Sequence, residues 1–567
     1  MKVVIIGGVA GGASAAARLR RLDEQAEIVV LERTGYVSYA NCGLPYYVGG
    51  VIRRKEALTL QTPQSFRERF RVEVRVHHEA VKIDPASQTV TVRRLDDGSV
   101  YEERYDELIL SPGARAVKPE LPGADLEQIF TLRTVEDTFR IHTYLQSHTP
   151  KRAVVIGGGF IGLEMAENLV HAGVQTTLLQ RSGQVMPPLD LDMACFLHAR
   201  LIKAGVDLRF HQAIRGFEMR GGQIVTLVEG KPPVEADLVV LAIGVEPDTD
   251  LARTAGLELG QKGSIVVNEQ MQTSVPHIYA VGDAVQVRHF VTGCPALISL
   301  AGPANRQGRI AADNLTGRGS RYPGSQGSAV VQLFGLTAAA TGLNEKTAKA
   351  QGIAYDKVVT DSASHATYYP GATNMTVKTL YDPATGKILG AQIVGVDGVD
   401  KRLDVLATAI RAGMTAQDLA ELDLCYAPPY SSAKDPVNMA GFVIEDVRQG
   451  LVRQHHWHEV PALQNRADVT LLDVRTVEEY SEGHIPGAIN IPLDDLRDRL
   501  GELDPKKPIY VNCFSGLRSY LACRILTQHG FDCSNLSGGW RFYANVVGQL
   551  HGADAPTHLC GVPIVED

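Results

Sequence analysis

The 567-residue chain has no C-x-x-C pair and no Cys/His cluster at zinc-ligand spacing, and its eight cysteines are scattered. Neither a structural zinc site nor a disulfide framework is expected. No Lys/Arg run stands out, and 56 basic residues against 64 acidic ones leave a net charge of −8. Nucleic acid is therefore not an expected partner. No apolar run is long enough to span a bilayer, so no membrane partner is expected either. The apolar opening, Met1-Lys2-Val3-Val4-Ile5-Ile6-Gly7-Gly8, reads as a strand and glycine turn rather than a secretory leader. These absences predict a cytoplasmic protein of several domains, with reduced thiols and no metal centre.

What is present is nucleotide chemistry. Val3 to Ile6 predicts a buried parallel strand, and the spacing predicts a helix over 13–22. Between them, Gly7, Val9, Ala10, Gly11 and Gly12 form a turn small enough to bring helix amides against a pyrophosphate. Val9 occupies the middle glycine position of the usual G-x-G-x-x-G. A second strand ends in Glu32, followed by Arg33, at the distance expected of a carboxylate for a ribose hydroxyl. The unit recurs at Gly157, Gly159, Phe160, Ile161 and Gly162, with a helix expected near Leu163-Glu164. Its second strand ends in Gln180-Arg181, which tolerates a 2′-phosphate that a carboxylate would repel. NADH is expected, with NADPH left open.

Two further segments carry a resemblance. Ile278-Tyr279-Ala280-Val281-Gly282-Asp283-Ala284 is similar to the second flavin motif of two-dinucleotide flavoproteins. Leu108 to Ala114 and Leu241 to Gly244 resemble their crossover strands. The chain thus resembles the pyridine nucleotide–disulfide reductases. That resemblance implies FAD contacts at the first glycine turn, Glu32, Arg33, Asn41, Ser111, Gly113, Asp283 and Ala301. It implies NAD(P)H contacts at the second turn, Glu164, Gln180 and Gly244. The implied fold class is α/β: two Rossmann-like domains (FAD, 1–112 and 246–322; NAD(P)H, 113–245), an α+β dimerisation domain (323–447) and a C-terminal α/β domain (455–567).

Cys42 lies in Ser38-Tyr39-Ala40-Asn41-Cys42-Gly43-Leu44-Pro45-Tyr46 and has no partner cysteine nearby. Glutathione-reductase-like members use a close pair, whereas this segment is similar to the coenzyme A disulfide reductase branch. An NADH oxidase or peroxidase, with Cys42 cycling through a sulfenic acid, is the alternative. A thiol that attacks disulfides is expected to have a lowered pKa. The resemblance implies coenzyme A as cosubstrate, with Ser38 and Asn41 beside the sulfur and Arg18 and Arg21 on the CoA phosphates. It also implies a homodimer in which Tyr368 (or Tyr369) and Tyr426 of one subunit reach the sulfur of the other. Cys425 either resolves a sulfur intermediate or is an ordinary buried thiol.

Val469 to Arg475, Gly483 to Asn490 and the loop Cys513-Phe514-Ser515-Gly516-Leu517-Arg518-Ser519 resemble a single-domain rhodanese. A loop of amides at a helix N-terminus, with Ser515, Ser519 and Arg518, is expected to favour a Cys513 thiolate and persulfide. The His455–His458 cluster reads as a linker or domain edge, and Cys523, Cys533 and Cys560 as structural. The expected function is NADH-driven, FAD-dependent reduction of CoA persulfide, polysulfide or CoA disulfide at Cys42, with sulfane sulfur supplied through Cys513. A chiefly sulfur-transferring protein is the alternative of a different class.

Overall fold

One topology occurs twice in the N-terminal half of the computed structural model, which describes residues 1–464 and 466–550. The first parallel sheet runs Ile278–Ala280, Glu107–Leu110, Lys2–Ile6, Glu27–Glu32, Glu73–Val76. The second runs Asp207–Arg209, Gln175–Leu179, Arg152–Ile156, Leu238–Leu241, Ile129–Thr131. Their central strands are almost unbroken apolar runs because helices or loops cover both faces; Val3, Val4 and Ile5 have no exposed surface. Pairing Ile6 with Leu31, and Ile156 with Leu179, brings the two strand ends of each sheet together at the glycine turn.

The helices after these turns span Ala10–Leu22 and Phe160–His171, each three residues earlier than expected. The glycine turn itself supplies the first helical residues, which a boundary placed by apolar periodicity misses. Close approach explains the glycines: a Cβ on Gly12 would lie 1.9 Å from the Gly7 carbonyl oxygen, and one on Gly162 1.8 Å from that of Gly157.

The chain divides into two compact units, Met1–Gly183 with Gly205–Gly327, and Gln184–Ala204 with the chain from Ser328 onward. The helix Leu191–Lys203 therefore groups with the second unit, although it interrupts the segment 113–245. That unit holds an antiparallel sheet ordered Ala329–Leu333, Leu336–Gly342, Ile388–Gly395, Asn374–Tyr381, Asp356–Ala363. It also holds a parallel sheet ordered Gln454–His455, Cys533–Leu536, Ile509–Asn512, Thr470–Asp473, Ile489–Asn490. His455 is thus a buried residue of the edge strand of this sheet, a domain edge and not a linker; its Nδ1 faces Ser534 Oγ at 3.0 Å, and burial pushes its pKa down to about 3.

Buried charge ties the antiparallel sheet of this unit to the start of the helix Leu191–Lys203. Lys378 Nζ, with no exposed side-chain surface, lies 3.1 Å from Asp190, 2.8 Å from Asp192 and 2.5 Å from Glu345. The three carboxylates are close enough together to hold a cation, and the ammonium sits among them. Lys357 adds a second cation 2.7 Å from Glu345, and the two lysines hold that carboxyl below its usual range against the opposing effect of burial. Trp457 Nε1 donates to Asp192 at 3.2 Å. Val359 N–H donates to Ser537 Oγ at 2.9 Å, and Arg541 pairs with Asp361 at 2.6 Å. The C-terminal sheet is therefore fastened to the antiparallel sheet of its own chain.

Candidate active sites

At the first strand ends, Gly8 N–H donates to Glu32 Oε2 at 2.9 Å, and Thr34 donates its amide and hydroxyl to Oε1. At the second, Gly158 N–H donates to Gln180 Oε1 at 3.0 Å, and Gln180 Nε2 donates to Ser182 Oγ. The two seats share one geometry and differ in charge, which is the property that separates a ribose hydroxyl from a phosphorylated one. Beside Glu32, Arg33 pairs with Asp248 at 2.9 Å. Arg181 is exposed.

The other nominated residues gather around these turns. Ser111 N–H donates to the Ile6 carbonyl at 2.7 Å, and a Cβ on Gly11 would stand 2.8 Å from Ser111 Oγ. Gly113 and Gly244 take left-handed φ values; their carbonyls accept from Asp248 and Val117 amides. Phe160 and Ile161 open the helix Phe160–His171, and Ala301 opens the helix Ala301–Leu315. Asp283 Oδ2 accepts from Arg133 Nη2 at 2.6 Å, and Gly282 N–H donates to Gln307. Arg133, Asp248 and Gln307 belong to no motif. Their parts follow from folding, which brings Arg133 to a carboxylate 150 positions away.

Cys42 lies in a single turn, Asn41–Gly43, that runs into the helix Leu44–Val48. Ser38, with a left-handed φ of 48°, donates its amide to the Gly8 carbonyl at 2.8 Å and pins this loop to the first glycine turn. Such a φ is uncommon outside glycine and marks backbone held by its surroundings. Cys42 is exposed, so the sulfur's residue is open to solvent.

Against the expected lowering, the groups of the polypeptide itself raise the Cys42 pKa. Partial loss of solvation around the sulfur, then the nearby Glu164, push the thiol up; Arg133 opposes and Asp283 reinforces. The charges around it are mainly acidic, and the one opposing guanidinium is already paired with Asp283. Glu164 is itself pushed up to about 7 by burial and by Glu167, against a hydrogen bond with Tyr46.

On the Ala10–Leu22 helix the three arginines differ. Arg18 Nε is held by Asp313 at 2.7 Å, and Arg21, on the exposed side, donates to the Ala17 carbonyl. Arg20 is buried and donates to the carbonyls of Asp23, Glu24, Ala26, Phe70 and Arg71. It is a structural arginine and not part of a solvated face.

In the second unit the hydroxyls of Tyr368 and Tyr426 meet at 2.7 Å, with both residues exposed. Tyr369 instead sets its ring edge-on to His365, so Tyr368 is the partner of Tyr426. Cys425, Tyr426, Tyr430, Lys401 and Arg402 line a recess of about 500 Å³. Cys425 is exposed in the single chain, so it is not a core thiol of its own subunit.

Cys513 is fully buried at the end of the strand Ile509–Asn512. Its sulfur accepts from Gly516 N–H at 3.1 Å and Ser519 Oγ at 3.3 Å, at the start of the helix Leu517–Gln528. Trp540 N–H donates to the Cys513 carbonyl and Arg541 N–H to that of Phe514, so the chain after Leu536 closes the loop from behind. Ser515 is half-buried in the loop, and the donors to Cys513 Sγ are Gly516 and Ser519. Arg518, expected to lend charge to Cys513, is gripped by Glu479 through two 2.6 Å contacts. Cys523 and Cys533 are buried, in keeping with structural roles; Cys560 lies outside the described residues.

Residues 1–308 match the pyridine nucleotide-disulphide oxidoreductase family, 328–436 its dimerisation domain and 456–545 the rhodanese-like domain. The chain is 36% identical over 442 residues to the coenzyme A disulfide reductase of Staphylococcus epidermidis, covering 78% of this chain and 99% of that one. It is similar to the reduced CoADR-RHD of Bacillus anthracis at 48% identity and a TM-score of 0.94, over 97% of this chain and 98% of the other. It is similar also to a NAD-dependent persulfide reductase from A. fulgidus, at 38% identity and a TM-score of 0.90, over 96% and 100%. No helix among the described residues is long and apolar enough to cross a membrane.

Proposed function

The chain belongs to the pyridine nucleotide-disulphide oxidoreductase family, and from that premise we propose that it is a cytoplasmic homodimer reducing CoA persulfide, polysulfide or CoA disulfide at Cys42. The observation that carries this reading is a lone exposed cysteine whose loop is pinned by Ser38 to the first glycine turn. With no second protein thiol in that loop, its disulfide partner must come from solution.

The seats fit the family's cofactors, FAD and NAD(P)H: each turn is a cradle that a Cβ would fill, and each adjoining strand ends in an acceptor for a ribose. Glu32, Ser111 and Asp283 would hold FAD, and Gln180 and Glu164 NADH. Bound flavin, reduced by NADH, supplies the electron pair that opens a mixed disulfide at Cys42. The Cys42 thiolate then attacks the inner sulfur of a CoA persulfide; the Cys42–S–S–CoA bond forms and hydrosulfide leaves with the electron pair. Tyr426, hydrogen-bonded to Tyr368, would lend its proton to the leaving sulfur from the partner subunit. Cys513 would gather sulfane sulfur and pass it to coenzyme A, whose flexible arm carries it onward.

Stoichiometry tests the reading. One hydrosulfide and one thiol equivalent should be released per NADH from CoA persulfide under argon. Oxygen or peroxide consumed one-for-one with NADH, at the same rate, would favour the oxidase alternative and overturn it.

A further inference from the structure

We infer that Glu479 sets the sulfur-donor specificity of the Cys513 loop, excluding dianionic donors such as thiosulfate in favour of persulfides on an uncharged arm, because it occupies the Arg518 guanidinium at the loop's end. The inference rests on reading Cys513 as a sulfur carrier and adds the class of donor it takes.

Arg518 stands at the last turn of the loop, close enough to Cys513 for their charges to interact. Its Nη1 and Nη2 each donate to one oxygen of Glu479 at 2.6 Å, the two-pronged geometry that most fully satisfies a guanidinium. Glu479 is held in place from its other side by the Thr476 amide at 3.0 Å, as part of the cap of the helix Val477–Glu482. The carboxylate is therefore preset and does not need recruiting.

The nearby Arg475 is no substitute. It is buried, doubly bonded to Asp473, donates to the Gly483 carbonyl, and lies over the Trp540 ring. Arg518 and Arg475 are thus each neutralised by a carboxylate of their own. What remains for the incoming sulfur is the Gly516 amide and the Ser519 hydroxyl, enough for one charged sulfur. Leu517 is 58% exposed and Leu521 45%, and four residues apart on a helix they form one apolar surface. Such a rim suits the uncharged arm of an alkyl persulfide.

The chemistry balances for both donors. With a persulfide, Cys513–S⁻ attacks the terminal sulfur of R–S–SH; a new S–S bond to Cys513 forms, the S–S bond of the donor breaks, and R–S⁻ leaves with its electron pair. With thiosulfate the leaving group is sulfite, which carries two negative charges out of the loop. Only that second departure calls for a cation that Glu479 already holds.

The test uses the full chain with its thiols reduced, following the gain of one sulfur on Cys513 by mass from thiosulfate and, separately, from 2-hydroxyethyl persulfide. Glu479→Gln should raise the second-order rate from thiosulfate roughly tenfold, the worth of a charged hydrogen bond, and change the persulfide rate by less than about twofold. The gain should appear in the thiosulfate concentration dependence and fade as salt is added. Removing both charges, Glu479→Gln with Arg518→Gln, should restore the parent preference, which a merely structural effect would not. An unchanged donor ratio in a sulfur-loading Glu479→Gln protein overturns the gate alone. No sulfur on Cys513 of the parent protein from either donor overturns the sulfur-carrier reading and the gate with it.

Discussion

Cys42 and Cys513 are chemically the same group in opposite settings. Cys513 is fully buried, yet two donors of its own loop point at its sulfur. Cys42 is exposed, yet its neighbours Glu164 and Asp283 disfavour the thiolate. One site is complete in the polypeptide; the other is arranged around groups that the polypeptide must bind. Exposure and the polar groups nearest a sulfur are thus set separately in this chain.

The sharpest way to break this comparison is to remove each sulfur. Cys42→Ser should lower NADH-dependent sulfide release on the order of 100-fold or more while Cys513 still acquires sulfur from a persulfide at its normal rate; Cys513→Ala should do the reverse. Parallel loss in both assays would show a single shared site.

A large effect is expected next from the scaffold. Lys378→Met leaves Asp190, Asp192 and Glu345 buried without their central cation. Unfolding of the unit that carries Cys513 should become easier by about 3–5 kcal/mol, read from denaturant midpoints. A shift below 1 kcal/mol would mean that the carboxylates find other partners.

Within the loop, Ser519→Ala removes one of the two bonds to Cys513 Sγ and should slow its alkylation by iodoacetamide roughly tenfold at neutral pH. The same reaction at Cys42 should not change.

The smallest effect is electrostatic. Because Glu164 raises the Cys42 thiol, Glu164→Gln should lower the pH at which Cys42 becomes reactive in flavin-free protein. With Glu164 itself titrating at about 7, parent and variant should differ above that pH and converge below it, where the glutamic acid is already neutral. Equal alkylation profiles above pH 7 would remove Glu164 from the account.

Much of this was legible before folding. The glycine turns, Glu32, Gln180, Cys42 and Cys513 sit in short local motifs read from neighbours in sequence. The paired Rossmann-like architecture followed from strand, turn, helix and strand repeated in order. What the sequence left hidden depends on contacts between distant segments: Arg133 on Asp283, Arg18 on Asp313, Glu479 on Arg518, and the Lys378 cluster. The sign of the Cys42 shift was missed for the same reason, since Glu164 lies in a different strand–helix unit. His455 reads from the sequence as a linker or domain edge and no strand is expected there, because two residues are too few to reveal one by alternation.

The claim on which the rest stands is that the lone cysteine beside the first nucleotide seat borrows its disulfide partner from solution. Peptide mass analysis of the protein as purified, without reductant, tests it most directly. The account predicts a CoA-sized adduct on Cys42 that dithiothreitol removes; a Cys42 found only as sulfenic acid or bare thiol, after incubation with CoA disulfide and NADH withheld, would contradict it.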